Sequence, residues 1–305
     1  MSHICLVTIE RGNDPQEYKQ MAPLIAAPKI SFRTVNSRSR GHVLLTKIDD
    51  FVRFTAELAN LAREQGSDLL LARGALVGSL AYLVSRRTGL PFIVESFEPH
   101  GQYMRDAGVW SRFDPRYLLG QYWEAMQKKY ARFLLPVADN YRRQLIAERI
   151  PAGRIITVPC SVDMAAFAFN AGHRLAVRKR LGWAPDAVVG VYAGKFGGIY
   201  YDDEAFPLFK EVADFYGPSF RLLLLTPLPA KDVRARLVAA GLSIAQVHVT
   251  KVPFVEVPYY LSAADFAFGL HRPTTFVSPI KHGECWANGL PTLLPDGVGD
   301  DSAYY

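Results

Sequence analysis

Short apolar runs alternate with segments of helical period along almost the whole chain, and this order constrains the fold more than any other feature. ICLVTI (4–9) reads as a buried first strand. Residues 12–48 read as irregular and Pro-punctuated, and DDFVRFTAELANLAREQG (49–66) as a helix opened by acidic caps, with Phe51, Phe54, Leu58 and Leu61 on one stripe. DLLLA (68–72), a helix over 74–89 closed by Gly89, and PFIVE (91–95) continue the pattern. A further helix is predicted over 115–132, with Leu119, Tyr122, Met126 and Tyr130 at spacings of three and four. It is followed by FLLPVA (133–138), a helix capped by Asp139, and RIITVP (154–159) as a strand.

After the basic helix HRLAVRKRLG (173–182) the plan repeats. AVVGVYAG, RLLLLT, QVHVT, DFAFGL and LPTLLP read as strands, and DDEAFPLFKEVADFYG, PAKDVRARLVAAG and VPYYLSAA as the helices between them. Apolar strands joined by helical crossovers pair in parallel, with right-handed connections. The expected fold is therefore α/β, with two Rossmann-like doubly wound domains, 1–167 and 168–305. The strands of such domains present ligands at their carboxyl ends, and the two domains are expected to face each other across a cleft.

Composition narrows the function. With 50% hydrophobic and 21% charged residues in 305, the chain is globular and long enough for two cores. MSHICLVTIE has neither a charged n-region nor a long h-region, and no apolar run reaches membrane-spanning length, so a cytoplasmic protein is expected. The widely separated Cys5, Cys160 and Cys285 argue against a disulfide framework or a structural zinc site. A net charge of +6 with dispersed basic residues favours small anions or a membrane surface over nucleic acid. No G-x-x-x-x-G-K-[ST], G-x-S-x-G or H-E-x-x-H occurs, which removes the obvious ATPase, hydrolase and zinc-protease readings.

Two stretches carry candidate chemistry. In SPIKHGECWANGLP (278–291), Pro279 suits the first turn of a helix of about ten residues, and Gly289 with Pro291 supplies the stop. Lys281 and Glu284, three apart, share a face near the helix N-terminus, where backbone N–H groups favour an anion. An ionised carboxylate only accepts hydrogen bonds, so Glu284 suits vicinal hydroxyls such as those of a ribose. A phosphate beside a diol indicates a nucleotide; the alternative is a solvated Lys/Glu pair on a surface helix. In YAGKFGG (192–198), a strand runs into glycines that admit a ligand to the backbone, with Lys195 available to a diphosphate. Such a loop can also simply turn the chain.

The series VPCSVDMAAF (158–167), VYAGKF (191–196), VPFVEVPYYLSAADFAFGL (252–270) and SPIKHGECWANGLP resembles the second domain of GT-B-fold retaining glycosyltransferases of the family-4 type, which use nucleotide sugars. Over the first half the resemblance is looser, resting on LLARG (70–74) and TGLPFIVESFEPH (88–100). It implies a hexosyltransferase of the kind used in polysaccharide biosynthesis, taking a UDP- or GDP-linked donor to a saccharide or lipid-linked acceptor. Gly194 and Lys195 would contact the donor diphosphate, the backbone around Phe254 the base, and Glu284 the ribose. Ser278, Pro279, Ile280 and Lys281 would complete the donor site near the phosphates. His100 and Arg73 would lie on the acceptor side, with Lys195, Glu284 and His100 as the catalytic set. Preorganised cations and helix N–H groups at the departing diphosphate meet the main catalytic need, so no metal or other cofactor is expected, in keeping with the lack of a D-x-D triplet.

The chain departs from the resemblance in three places. Phe276 stands where the first glutamate of an E-x7-E pattern belongs. A second lysine after Lys195 is replaced within IYYDDEAF, where Asp202 and Asp203 read as an acidic helix start. Further elements, including a final helix, are expected after LPTLLP, so truncation or a short form is expected. A non-catalytic binding partner and a sugar-nucleotide epimerase are the alternatives. His3, His42 and His173 carry no partner pattern, whereas His271 and His282 fall near the candidate site. The aromatic and basic run 103–143 suits either helix packing with a solvated basic rim or peripheral contact with an anionic membrane face.

Overall fold

The computed structural model describes residues 3–10, 29–37, 43–96, 99–106, 109–273 and 276–303. Two compact units divide the chain, Met1–Ser96 with Leu119–Leu134 and Phe97–Leu118 with Leu135–Tyr305. Residues 135–167, expected from sequence in the first domain, thus cluster within the second unit. Every described ladder between strands is parallel.

In the first unit, β1 (Ile4–Glu10) pairs with β2 (Ile30–Asn36), and β3 (Leu70–Arg73), β4 (Phe92–Ser96) and β5 (Phe133–Pro136) form a separate sheet in that order. Strand β2 corrects the irregular reading of 12–48: ISFRTVN carries Ile30, Phe32 and Val35 in a strand-like run that the flanking prolines obscured. Residues 11–28 and 38–42 lie outside the described residues. Helices α1 (Val43–Glu64) and α2 (Ala75–Thr88) cover the strands, and Val35, Phe54 and Leu80 form the core with Val7, Ile9, Phe51 and Leu58 against them. Asp49 and Asp50 are not caps, because α1 already runs through them. Asp50 is instead buried, accepting from Arg53 at 2.9 Å and from Ser37. Gly89 ends α2 as expected, in the left-handed region at φ 77°, with its N–H on the Ser85 carbonyl.

The helix predicted over 115–132 forms as α4 (Pro115–Tyr130), after the short α3 (His100–Asp106). It buries Glu124 and Gln127, the latter donating to the Ala75 carbonyl at 2.9 Å and the Ser79 hydroxyl at 3.1 Å. Trp123 packs on Phe51 and Tyr82, while Leu118, Leu119 and Tyr122 stay exposed.

In the second unit, Asp139 proves to be the first residue of α5 (Asp139–Ala147), not its cap. The anion that satisfies the helix start is distant in sequence: the Asp300 carboxylate accepts from the N–H groups of Asp139 and Asn140. RIITVP forms no named strand; its Val158 N–H simply meets the Pro136 carbonyl at 2.8 Å. Helix α6 (Ala171–Arg180) is capped by Asn170, which accepts from His173 N–H. Then come β6 (Val188–Ala193), α7 (Ala205–Tyr216), β7 (Phe220–Leu225), α8 (Ala230–Ala239), β8 (Val247–Thr250), α9 (Val257–Leu261), β9 (Phe266–Phe268), α10 (Ile280–Ala287) and β10 (Thr292–Leu293).

These five strands lie in the order β10-β9-β6-β7-β8. Read from the β8 edge and counted along the chain this is 3-2-1-4-5, the doubly wound order, and the direction of winding reverses between β6 and β9. Alternate residues feed the two faces. Tyr192, Leu222, Leu224 and Phe268 pack with Phe206 and Phe209 of α7 on one side, and Val189, Val191, Leu223, Leu225 and Ala267 with Val177, Leu261 and Cys285 on the other. Each large side chain so buried contributes about 1.5–3 kcal/mol.

The amino ends of the two central strands are tied by Arg178, which is 2% exposed. It donates to the carbonyls of Ala263, Pro185 and Ala187 and to Asp265 at 2.8 Å. Asp265 also accepts from Val189 N–H at 2.7 Å and Arg174 at 2.6 Å. Burial opposes ionisation of Asp265, yet these donors outweigh it and its carboxyl titrates below the usual range. With the amino ends fixed, the carboxyl ends of β6 and β9 meet in a defined register, Gly190 opposite Phe266 and Val191 opposite Ala267.

Candidate functional site

The carboxyl ends of β6 and β9 form the crevice in which ligands of doubly wound sheets bind. Past β6 the backbone folds over at Gly194, whose N–H reaches the Leu225 carbonyl. A side chain there would meet the Tyr192 hydroxyl, since an added Cβ falls 2.7 Å from it. That hydroxyl donates to the Lys195 carbonyl at 2.5 Å, so glycine at 194 is what lets the turn close. Lys195 itself is exposed. Gly197 and Gly198 then adopt φ of 83° and 65°, and the loop crosses to the end of β9. There Tyr200 and His271 form an isolated antiparallel bridge, flanked by bonds from Tyr201 N–H to Leu270 and from Arg272 N–H to Ile199, each 2.9 Å.

Helix α10 closes the other side, with Pro279 as its N-cap residue and not within the first turn. Pro279 offers no side-chain cap, so no side chain of the N-cap residue competes for the helix-start N–H groups. Lys281 is half-buried and Ile280 exposed. Glu284 is 4% exposed and, among the described residues, its carboxylate accepts no hydrogen bond. Burial pushes its carboxyl above the ordinary range, with Lys281 opposing. Tyr200 lies within range of that charge, and burial together with Glu284 raises its phenol. An unpaired buried carboxylate is costly in a folded chain, and such groups gather where a ligand supplies the missing partners.

The structure thus brings Gly194, Lys195, Ser278, Pro279, Ile280, Lys281 and Glu284 to two neighbouring elements at one end of one sheet. Phe254 sits on a turn after β8, 60% exposed, with its ring 5.7 Å from Phe167. His100 opens α3 in the second unit, edge-on to Trp110 at 5.5 Å, and Arg73 ends β3 in the first, 3.6 Å from Glu95. Phe276 packs on Tyr141, ring centroids 5.7 Å apart.

Asp202 and Asp203 are both held by Arg236, whose guanidinium lies 4.2 Å over Phe206. The cap position of α7 belongs to Glu204, whose carboxyl is held down to about 2 by its own backbone N–H, Arg272 and the Asp202 N–H. The two histidines that fall near the candidate site, His271 and His282, are enclosed. His271 is 4% exposed with Nδ1 on the Arg272 carbonyl, and burial lowers its imidazole. His282 is 3% exposed with Nδ1 2.8 Å from Asp301. Tyr200 and Asp301 were missed from sequence: Tyr200 reads as one of two adjacent tyrosines, and nothing in DGVGDDS marks Asp301 as a partner of α10. Among the described residues no group of three or more His, Cys, Asp or Glu is placed to hold a metal, and no helix is long and apolar enough to cross a membrane.

No family model and no curated protein matches the chain. Solved structures do. A crystal structure of Anabaena HepE in complex with UDP superposes with a TM-score of 0.70 at 13% identity, covering 99% of this chain and 82% of that one. Sucrose-phosphate synthase from Thermosynechococcus elongatus gives 0.71 at 15%, covering 98% and 82%. UDP-GlcNAc 2-epimerase from Neisseria meningitidis bound to UDP-GlcNAc gives 0.53 at 15%, covering 88% and 69%. The chain therefore has the α/β fold of the GT-B structures, the class to which these glycosyltransferases belong.

Proposed function

We propose that this protein is a glycosyltransferase that moves a hexose from a UDP- or GDP-linked donor to a saccharide or lipid-linked acceptor with retention. The observation that carries the reading is Glu284, buried and without a hydrogen-bond donor among the described residues, on the same face as Lys281 at the switch point of the sheet. In this reading two ribose hydroxyls donate to Glu284. Lys281, Lys195 and the N–H groups of α10 receive the diphosphate, and stabilise its charge as the sugar departs, without a metal. Phe254 lies beside the base. His100 and Arg73 serve the acceptor. HepE, of like fold, was crystallised with UDP and with UDP-glucose, which supports the uridine donor. The reading places the enzyme in the cytoplasm. Exposed Leu119 and Tyr122 on the basic helix α4 suit contact with the inner membrane face.

Calorimetric titration with UDP, GDP and their glucose conjugates tests the proposal. Binding weakened at least about tenfold by Glu284→Ala is expected; no binding, or binding indifferent to Glu284, would sink it. The likeness to the 2-epimerase favours a second reading, in which free UDP-sugars interconvert with no acceptor present. Incubating UDP-GlcNAc with and without oligosaccharide acceptors separates the two. Binding without transfer, hydrolysis or epimerisation would identify a non-catalytic partner instead.

A further inference from the structure

The donor-side helix is held from behind by a residue that no part of the proposed donor site includes. His282 and Glu284 are two apart, about 200° around the helix, so they lie on opposite flanks of α10. On the flank away from Glu284, the His282 imidazole is 3% exposed and Asp301 is 7% exposed, and Nδ1 meets Oδ2 at 2.8 Å. An ionised carboxylate only accepts, so Nδ1 carries the proton. The ring is confined on two further sides. Trp286 lies 5.8 Å away between centroids, and the end of β9 comes so near that a Cβ on Gly269 would fall 2.8 Å from Nε2.

The segment that carries Asp301 is itself fixed. Gly299 sits against the Val277 carbonyl, Val298 is fully buried, and Asp300 accepts from the first two N–H groups of α5. Adjacent aspartates therefore serve different helices: Asp300 caps α5, and Asp301 reaches the first turn of α10. Pro279 gives α10 no side-chain cap, and the Asp301 bond is a polar side-chain contact that holds this turn about its axis.

We propose that Asp301 is a positioning residue for the donor site, setting through His282 the rotation of α10 that presents Lys281 and Glu284. The proposal rests on the nucleotide-sugar reading above. Turning an eight-residue helix about its axis moves Lys281 and Glu284 together, so loosening the pin weakens what both hold.

The test compares Asp301→Ala, Asp301→Asn and Asp300→Ala by calorimetry with UDP and by amide hydrogen exchange on the unliganded protein. Asp301→Ala is expected to weaken UDP about tenfold. Asp301→Asn, whose amide oxygen still accepts from Nδ1, restores most of that loss. The same Asp301→Ala change costs clearly less in a Glu284→Ala background than in the unaltered protein, because only Lys281 and the helix N–H groups are then left to misplace. Asp300→Ala weakens UDP clearly less than Asp301→Ala does, and accelerates exchange over 139–147 where Asp301→Ala accelerates it over 280–287. Equal UDP losses from Asp300→Ala and Asp301→Ala, or a loss that persists undiminished without Glu284, would overturn the assignment in favour of general loosening. Absence of UDP binding by the unaltered protein fails the donor reading instead, and unchanged exchange over 280–287 in Asp301→Ala then also overturns the pin.

Discussion

Replacing Glu284 by glutamine should move stability and binding in opposite directions. The carboxylate is 4% exposed, accepts no hydrogen bond from the described residues, and is opposed only by the nearby Lys281. A buried charged group without partners costs about 1–3 kcal/mol, and the amide that replaces it keeps part of that cost, so a net gain of about 1 kcal/mol is expected at neutral pH. For a chain of this length that raises the thermal midpoint by a few degrees. The sign follows from the raised carboxyl. The folded state holds the Glu284 proton to higher pH than the unfolded chain does, so stability falls as pH rises through that interval. The advantage of Glu284→Gln therefore shrinks towards pH 4, as the unfolded carboxyl also takes up its proton, and is full well above the raised folded value. Binding goes the other way. Hydrogen bonds to a charged acceptor contribute about 1.5–3 kcal/mol, so the glutamine variant should bind UDP about 10- to 100-fold more weakly. Scanning calorimetry from pH 4 to 8 and UDP titration at neutral pH measure both. A variant that is less stable at neutral pH, or equally stable but unimpaired in binding, would refute the assignment of Glu284 as a carboxylate kept for a ligand.

Three further outcomes follow from the geometry. Lys195→Ala should weaken UDP several-fold and leave uridine untouched, with the difference shrinking at high salt, because the exposed ammonium acts on phosphate charge alone; equal losses for both ligands in calorimetry would count against it. Cys285 should resist iodoacetamide at pH 8 in the folded protein and react on unfolding, since burial pushes its thiol up to about 12, and mass spectrometry reads the adduct. Arg178→Ala should cost about 2–4 kcal/mol in urea denaturation of the second unit, because the carbonyls of Ala263, Pro185 and Ala187 lose their guanidinium donor and Asp265 loses one of its donors.

Much of the second unit is legible in the sequence for a simple reason. Parallel strands buried on both faces are written as apolar runs, VVGVYA and FRLLLL among them, and glycines mark where the helices stop. The misreadings have physical causes too. RIITVP is apolar enough for a strand, but it begins in a turn, with Arg154 and Ile155 N–H on the Pro151 and Ala152 carbonyls, before Val158 N–H meets the Pro136 carbonyl. ISFRTVN was hidden by its neighbours. Asp139 stands where a cap belongs, yet the cap is Asp300, 161 positions away, and no local pattern reports a contact of that range. The same division runs through the site. Lys281 and Glu284 share a helix, so their spacing reveals their common face. Tyr200 and Asp301 reach that helix only through the fold.

The bridge between Tyr200 and His271 has a consequence for how a ligand would be received. A glycine-bearing loop after a strand would ordinarily sample many conformations, and a ligand that needed one of them would pay about 1–2 kcal/mol of backbone entropy for each residue it ordered. Here the loop is tethered at Tyr200, Tyr201 and Ile199 to the end of β9, and at Lys195 to the Tyr192 hydroxyl. Folding has already met that entropic cost. In the proposed donor site, a diphosphate would meet a loop already in one conformation, so its affinity would be set by charge and hydrogen bonding, with little lost to ordering the chain around it.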